Sequence, residues 1–186
     1  MADLKITEFA ALTVVNDEDL IAIVDDPTGT ASTKKIRTDD FQSSWHVGAR
    51  VYNSANLSIP NTTWTDFTFD TERYDTDTIH STGTNTGQLT CKTAGKYLII
   101  GQVQWDINAV GSRFVGIFLN NTTYLDIVET ETNTIATRYT SQNISTIYQL
   151  AVNEYVTFRG NQNSGGALNA NYTAQISPEF MMHRIG

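Results

Sequence analysis

From residue 95 onward, apolar side chains recur at every second position. In "GKYLIIGQVQWDI", Tyr97, Ile99, Val103, Trp105 and Ile107 share one face with Gly101. "SRFVGIFLNNTTYL" sets Val115, Ile117 and Leu119 on one face, with Phe114 and Phe118 opposite. "EYVTFRGNQ" alternates Val156 and Phe158 against Tyr155, Thr157 and Arg159. "ALNANYTAQI" predicts one long strand, with Leu168, Ala170, Tyr172, Ala174 and Ile176 opposed to Asn169, Asn171, Thr173 and Gln175. A period of two is the spacing of a pleated strand. The breaks "NN", "NSGG" and "TNTG" carry the residues that tight turns require. No helical periodicity appears after residue 46, so the pattern predicts an antiparallel sandwich or barrel. Several strands are apolar on both faces. One face of a lone sandwich should be wet, so some outward faces are expected to meet a partner.

The chain reads differently before residue 46. In "DEDLIAIVDDPTGTASTKKIRTDDF", Leu20, Ala22 and Val24 alternate with Ile21, Ile23 and Asp25. Pro27 and Gly29 supply turn chemistry, and "TKKIRT" follows as a second short strand. Thr38 with Asp39 and Asp40 predicts an N-cap and a brief helix through Phe41 and Trp45. A hairpin and one helical turn are too small to be stable alone, so this segment needs a surface to lean on. It is expected to be an anchor spanning residues 1–42, with Leu20, Ile21, Ile23, Val24, Lys34, Lys35 and Ile36 as its contact residues. The alternative is an extension packed on the main domain, which spans residues 47–186.

Composition narrows the partners. The 186 residues hold 12 Lys and Arg against 20 Asp and Glu, a net charge of −8. With no basic face to displace counterions, no nucleic-acid partner is expected. Thr and Asn dominate the polar fraction, which suits strands and turns. "MADLKITEFAALTVV" carries Asp3 and Glu8 and no clean apolar block, so no secretory signal is expected. No stretch reaches the length of a membrane span, and no membrane partner is expected. The lone Cys91 cannot close an intrachain disulfide and reads as a small buried apolar residue. Six Asn-x-Ser/Thr matches reflect the Thr/Asn-rich surface rather than glycosylation.

The series "FTFDTERYDTD…GQLTCKTAGKYLIIGQVQW", "VGIFLNN", "IYQLAVNEYVTFRGNQNSGG" and "SPEFMMHRIG" resembles the globular domain of complement C-one-q and its tumour-necrosis-factor-like relatives. Asn153-Glu154 stands where those relatives usually have Gly-Asp. The resemblance covers residues 47 to 186. It implies a mainly β, antiparallel jelly-roll sandwich assembled as a homotrimer, and binding rather than catalysis. Tyr97, Trp105, Phe114, Phe118, Tyr155 and Phe180 are the expected trimer contacts. The leader "ITEFAALTVVNDEDLIAIVDDPTGTASTKKI…DDF" is similar to the N-terminal segment of many tailed-bacteriophage virion proteins. Together these imply a virion structural protein, assembled in a bacterial cytoplasm and attached through the leader to the major capsid protein or another virion protein. The linker "QSSWHVG" leaves no room for a shaft, because a residue extends at most about 3.5 Å. That favours a capsid decoration protein or short head fibre, aiding host attachment by gripping surface glycans, over a tail fibre or receptor-binding component. A bacterial lectin-like module is the further alternative.

Catalytic chemistry is hard to find. The histidines are His46, His80 and His183. Asp75, Asp77 and His80 lie close together, and the two carboxylates are weak candidates for Ca²⁺, against an Asx-turn-rich loop. Ser81, His80 and Asp77 are too near in sequence to converge as a nucleophilic triad. No phosphate-cradling or zinc-spaced motif occurs, so neither enzyme activity nor a cofactor is expected. Trp64, Tyr139 and Tyr172 are candidates for stacking on sugar rings, with core or trimer contacts the preferred reading of each.

Overall fold

The computed structural model describes residues 20–25, 32–37, 46–132, 137–173 and 175–186, the first two stretches as backbone alone. The chain separates into two units, Met1–Trp45 and His46–Gly186. In the first, β1 (Leu20–Asp25) and β2 (Ser32–Arg37) pair antiparallel, with Ile21 opposite Ile36 and Ile23 opposite Lys34. This is the hairpin that the alternation around Pro27 and Gly29 predicts. The helix expected after Thr38 lies outside the described residues, as do the side chains of the anchor candidates Leu20, Ile21, Ile23, Val24, Lys34, Lys35 and Ile36.

The second unit contains β3 (Gly48–Tyr52), β4 (Leu57–Ile59), β5 (Thr65–Asp66), β6 (Thr71–Asp75), β7 (Gln88–Thr90), β8 (Gly95–Trp105), β9 (Ser112–Leu119), β10 (Thr123–Glu131), β11 (Thr140–Leu150), β12 (Tyr155–Gln162), β13 (Leu168–Ala170) and β14 (Glu179–Arg184). Among the described residues there is no helix. The smaller sheet runs β10-β9-β12-β5, with β7 also on β12. The larger runs β4-β13-β8-β14-β3-β6, with β11 along the other edge of β8. The first and last strands of the unit, β3 and β14, are therefore neighbours, and all strand pairings are antiparallel. The unit is a jelly-roll sandwich.

Strand β8 shows why these residues pack this way. Tyr97, Ile99, Val103 and Trp105 are buried, while Leu98, Ile100, Gln102 and Gln104 are half-exposed between them. The inward set meets the smaller sheet through a chain of rings. Phe67 lies 6.0 Å from Trp105 and 4.7 Å from Phe158, and Phe158 lies 5.7 Å from Phe180. Room for these rings comes from two glycines: a Cβ on Gly101 would fall 2.6 Å from Phe158, and one on Gly160 would fall 2.6 Å from Phe67.

The strand expected through Ile176 ends instead at Ala170. The Asn171 N–H turns to the Gln104 carbonyl at 2.7 Å, and the Tyr172 N–H goes to Asn56 Oδ1 at 2.7 Å. Thr173 and Ile176 then exchange backbone hydrogen bonds and close a turn. The apolar alternation of Tyr172 and Ile176 thus belongs to a loop in which both are exposed.

Candidate functional site

Antiparallel pairing aligns side chains of neighbouring strands on the outward face of the larger sheet. One row reads Ile147, Leu98 and His183; the next reads Ser145, Ile100, Met181 and Arg50; a third reads Asn143, Gln102, Glu179 and Tyr52. Leu98, Ile100 and Met181 are half-exposed, and Ile147 is 59% exposed. These four make an apolar patch at one end of the face, and amides and hydroxyls occupy the other. A contiguous apolar patch with a polar surround is the usual mark of an interaction surface.

Glu179 forms the polar border. It is 2% exposed although it points away from the core, because two guanidinium groups cover it. Arg50 Nε donates to Oε2 at 2.7 Å, and Arg73 Nε donates to Oε1 at 2.9 Å. The Ser177 hydroxyl donates to Oε1 at 3.2 Å. The Arg73 guanidinium also lies 4.5 Å above the Tyr52 ring. Burial alone would push the Glu179 carboxyl up, but the hydrogen bonds from Arg73 and Arg50 outweigh it and hold the group below the usual carboxylate range. The clamp joins β3, β6 and β14 beside the patch.

The expected trimer contacts fall in three places. Tyr97, Trp105 and Phe180 are fully buried within the protomer, so they have no side-chain surface to offer a second copy. The large rings turn inward because the space between the sheets needs their volume. The Tyr97 hydroxyl donates to the Thr93 carbonyl at 2.5 Å, and burial pushes its phenol well up. Phe114 and Phe118 lie on the outward face of the smaller sheet, within an aromatic cluster. There Trp64 meets Phe118 at 5.4 Å, Tyr124 meets it at 4.5 Å, and the Arg159 guanidinium sits 4.4 Å above its ring. Phe118 is 3% exposed and Phe114 half-buried. Tyr155 is half-buried at the start of β12. Sequence reasoning does not single out the patch residues Leu98, Ile100, Ile147 and Met181, though Leu98 and Ile100 fill the second face of the "KYLII" alternation.

The acidic loop is organised from within. Asp75 accepts backbone N–H bonds from Asp77 and Ile79 on Oδ1 and from His80 on Oδ2, at 2.9 to 3.1 Å. Both oxygens of this weak Ca²⁺ candidate are thus engaged, as an Asx-turn loop requires. Among the described residues no three His, Cys, Asp or Glu side chains gather as a metal site. His80 Nδ1 faces Glu72 at 2.8 Å and Nε2 faces the Thr86 carbonyl at 3.1 Å, so neither nitrogen serves Ser81. Cys91 is buried, with its thiol pushed up by that burial.

Solved structures share this arrangement. Eiger TNF from S. frugiperda matches with a TM-score of 0.56 and 13% identity, over 76% of this chain and 93% of that one. The globular domain of zebrafish complement 1qA protein matches with a TM-score of 0.54 and 14% identity, over 75% and 98%. Murine APRIL at pH 5.0 matches with a TM-score of 0.54 and 12% identity, over 75% and 99%. The fold is the complement and tumour-necrosis-factor-like jelly roll. At these identities the likeness is one of fold. No family model and no curated protein sequence matches the chain. In this jelly roll, the patch of Leu98, Ile100, Ile147 and Met181 belongs to the sheet that carries both β3 and β14.

Proposed function

We propose that the chain is a non-enzymatic structural protein of a bacteriophage particle. It acts as a capsid decoration protein or short head fibre whose jelly-roll units associate as a homotrimer. The observation that carries the trimer is the apolar patch on the outward face of the larger sheet, beside a face that is otherwise amide, hydroxyl and ion pair. Covering it would remove Ile147, Leu98, Ile100 and Met181 from water, at about 25 cal/mol per Å² of apolar area. The virion reading is supported by the leader's resemblance, by the acidic excess of the segment up to Phe41 and by the few residues of sequence between it and the jelly roll. The leader docks on the capsid, and the trimer displays its heads toward the host.

Native mass spectrometry of the full chain tests the assembly. Three chains are expected, and the double variant Leu98→Lys, Ile147→Asp should give a folded monomer. A wild-type monomer at micromolar concentration overturns the trimer. For the anchor, a chain lacking residues 1–42 should stay trimeric yet fail to join particles in a mixed assembly. Attachment of that truncated chain would refute the anchor.

A further inference from the structure

Beyond the end of β8, the larger sheet opens into a cleft of about 470 Å³. It is lined by Tyr139 and Tyr172, 52% and 37% exposed, and by Asn56, Gln104, Asp106 and Asn171. The volume falls within the roughly 300–1,000 Å³ of small-molecule sites. Its walls are built into the fold. The Asp106 N–H donates to the Asn169 carbonyl at 2.8 Å, the Asn171 N–H to the Gln104 carbonyl at 2.7 Å, and the Tyr172 N–H to Asn56 Oδ1 at 2.7 Å. These three bonds stitch β13 and the residues after it to the end of β8 and to the segment before β4.

The hydrogen-bonding groups left over define the ligand. Asp106 Oδ1 accepts the Ile107 N–H at 2.8 Å, and among the described residues Oδ2 has no donor. Asn56 uses its oxygen on Tyr172 and keeps its amide donors, while Gln104 donates to Ser141 at 3.3 Å and keeps its oxygen. Asn171 is 8% exposed, and its side-chain amide has no hydrogen-bond partner among the described residues. Neither tyrosine ring is packed on another aromatic among them. Among the described residues no Lys or Arg lines the cleft, which favours a neutral ligand over a phosphate, sulfate or carboxylate. A flat ligand with apolar C–H faces and vicinal hydroxyls, each both donor and acceptor, satisfies every one of these groups.

We infer that this cleft is a binding site for a neutral hexopyranose unit of a glycan. The rings of Tyr139 and Tyr172 cover the sugar's C–H faces, and Asp106, Asn56, Gln104 and Asn171 hold its hydroxyls. The cleft and the apolar patch are separate parts of the sheet. Gln104 lies six residues along β8 from Leu98 in the apolar patch, roughly 20 Å at about 3.3 Å per residue. The inference rests on the reading of the chain as a displayed binding module, and the test separates the two.

The full chain is screened on a printed array of neutral, sialylated and sulfated oligosaccharides, and hits are titrated by calorimetry with native mass recorded on the same samples. Binding to a subset of neutral glycans is expected. Tyr172→Ala and Asp106→Asn should each weaken it by about tenfold or more, while Lys96→Ala leaves it unchanged. Asp106→Asn keeps the side-chain volume, so its effect survives any misfolding of the tyrosine variant. No neutral glycan bound at millimolar concentration, binding confined to charged glycans, or affinity unchanged in both variants overturns the site. Such a failure in an intact trimer leaves the proposed function standing, whereas a monomer that binds neutral sugar supports the site and overturns the trimer.

Discussion

Arg50 and Glu179 meet across neighbouring strands β3 and β14, with Nε 2.7 Å from Oε2, on a face of the sheet that points away from the core. The carboxylate is nonetheless sealed, because Arg73 closes over it from β6. The two arginines are each about two-fifths exposed and the carboxylate hardly at all, so the energetic asymmetry lies with Glu179.

The pH dependence follows from that asymmetry. The Glu179 carboxyl sits below its ordinary value in the folded protein, so the unfolded state takes up its proton first as pH falls. The clamp's contribution is therefore complete above the unfolded value near 4.5 and disappears as pH drops through the folded one. Urea unfolding at pH 7 and pH 3 should show this loss, with a shallower acid dependence in Glu179→Gln. Replacing both Arg50 and Arg73 by Met leaves a buried charge without a cation and should cost about 3 kcal/mol at pH 7. An unchanged midpoint in that double variant would show the clamp to be idle.

Asn153 has φ of 71°, in the left-handed region that glycine adopts freely. Asn is the side chain that tolerates this region best, which is why it can stand where Gly is usual in the resembling family. Asn153→Gly is expected to be neutral to within a few tenths of a kcal/mol, whereas Asn153→Val should cost about 1–2 kcal/mol. Chemical denaturation of the two variants decides it, and equal midpoints would refute the backbone argument.

That position shows what can be read from the chain in advance. Period-two patterning locates β8, β9 and β12, and paired asparagines locate the turn at Asn120 and Asn121, with φ of 48° and 61°. Alternation also speaks for a strand through Ile176, and there it misleads. Alternation records where side chains can point, while the backbone of Asn171 and Tyr172 finds better partners in Gln104 and Asn56. The same gap hides the patch. Aromatic size draws the expected contacts to Tyr97, Trp105 and Phe180, which the core absorbs, and the aliphatic Leu98, Ile100, Ile147 and Met181 are left for the surface. Which face of a doubly apolar strand turns inward depends on the opposite sheet, and no single strand encodes it.

The Trp105 indole N–H donates to Gln142 Oε1 at 2.7 Å in a fully buried setting. The Gln142 amide in turn donates to the Arg113 carbonyl at 3.1 Å and to Thr130 Oγ1 at 3.0 Å, linking the two sheets. Gln142→Leu fills the space but orphans the indole donor and two acceptors. A loss of about 2–3 kcal/mol is expected, reversed in large part by a polar replacement such as Gln142→Glu at low pH. Denaturation followed by Trp fluorescence measures both, and a neutral Leu variant would mean that the network adds nothing beyond its volume.

Gly101 sits opposite Phe158 with no space for a methyl group, since a Cβ would fall 2.6 to 2.9 Å from three atoms of that ring. Phe158 is hemmed by Phe67 and Phe180, so the ring cannot swing aside without disturbing both. Gly101→Ala should therefore destabilise the jelly roll by about 1–3 kcal/mol, against the gain usually seen when a strand glycine acquires a side chain. Pairing it with Phe158→Leu tests the cause. If the clash is with the ring, the double variant loses less than the sum of the two single losses, whereas strict additivity would place the cost of the alanine elsewhere in the strand.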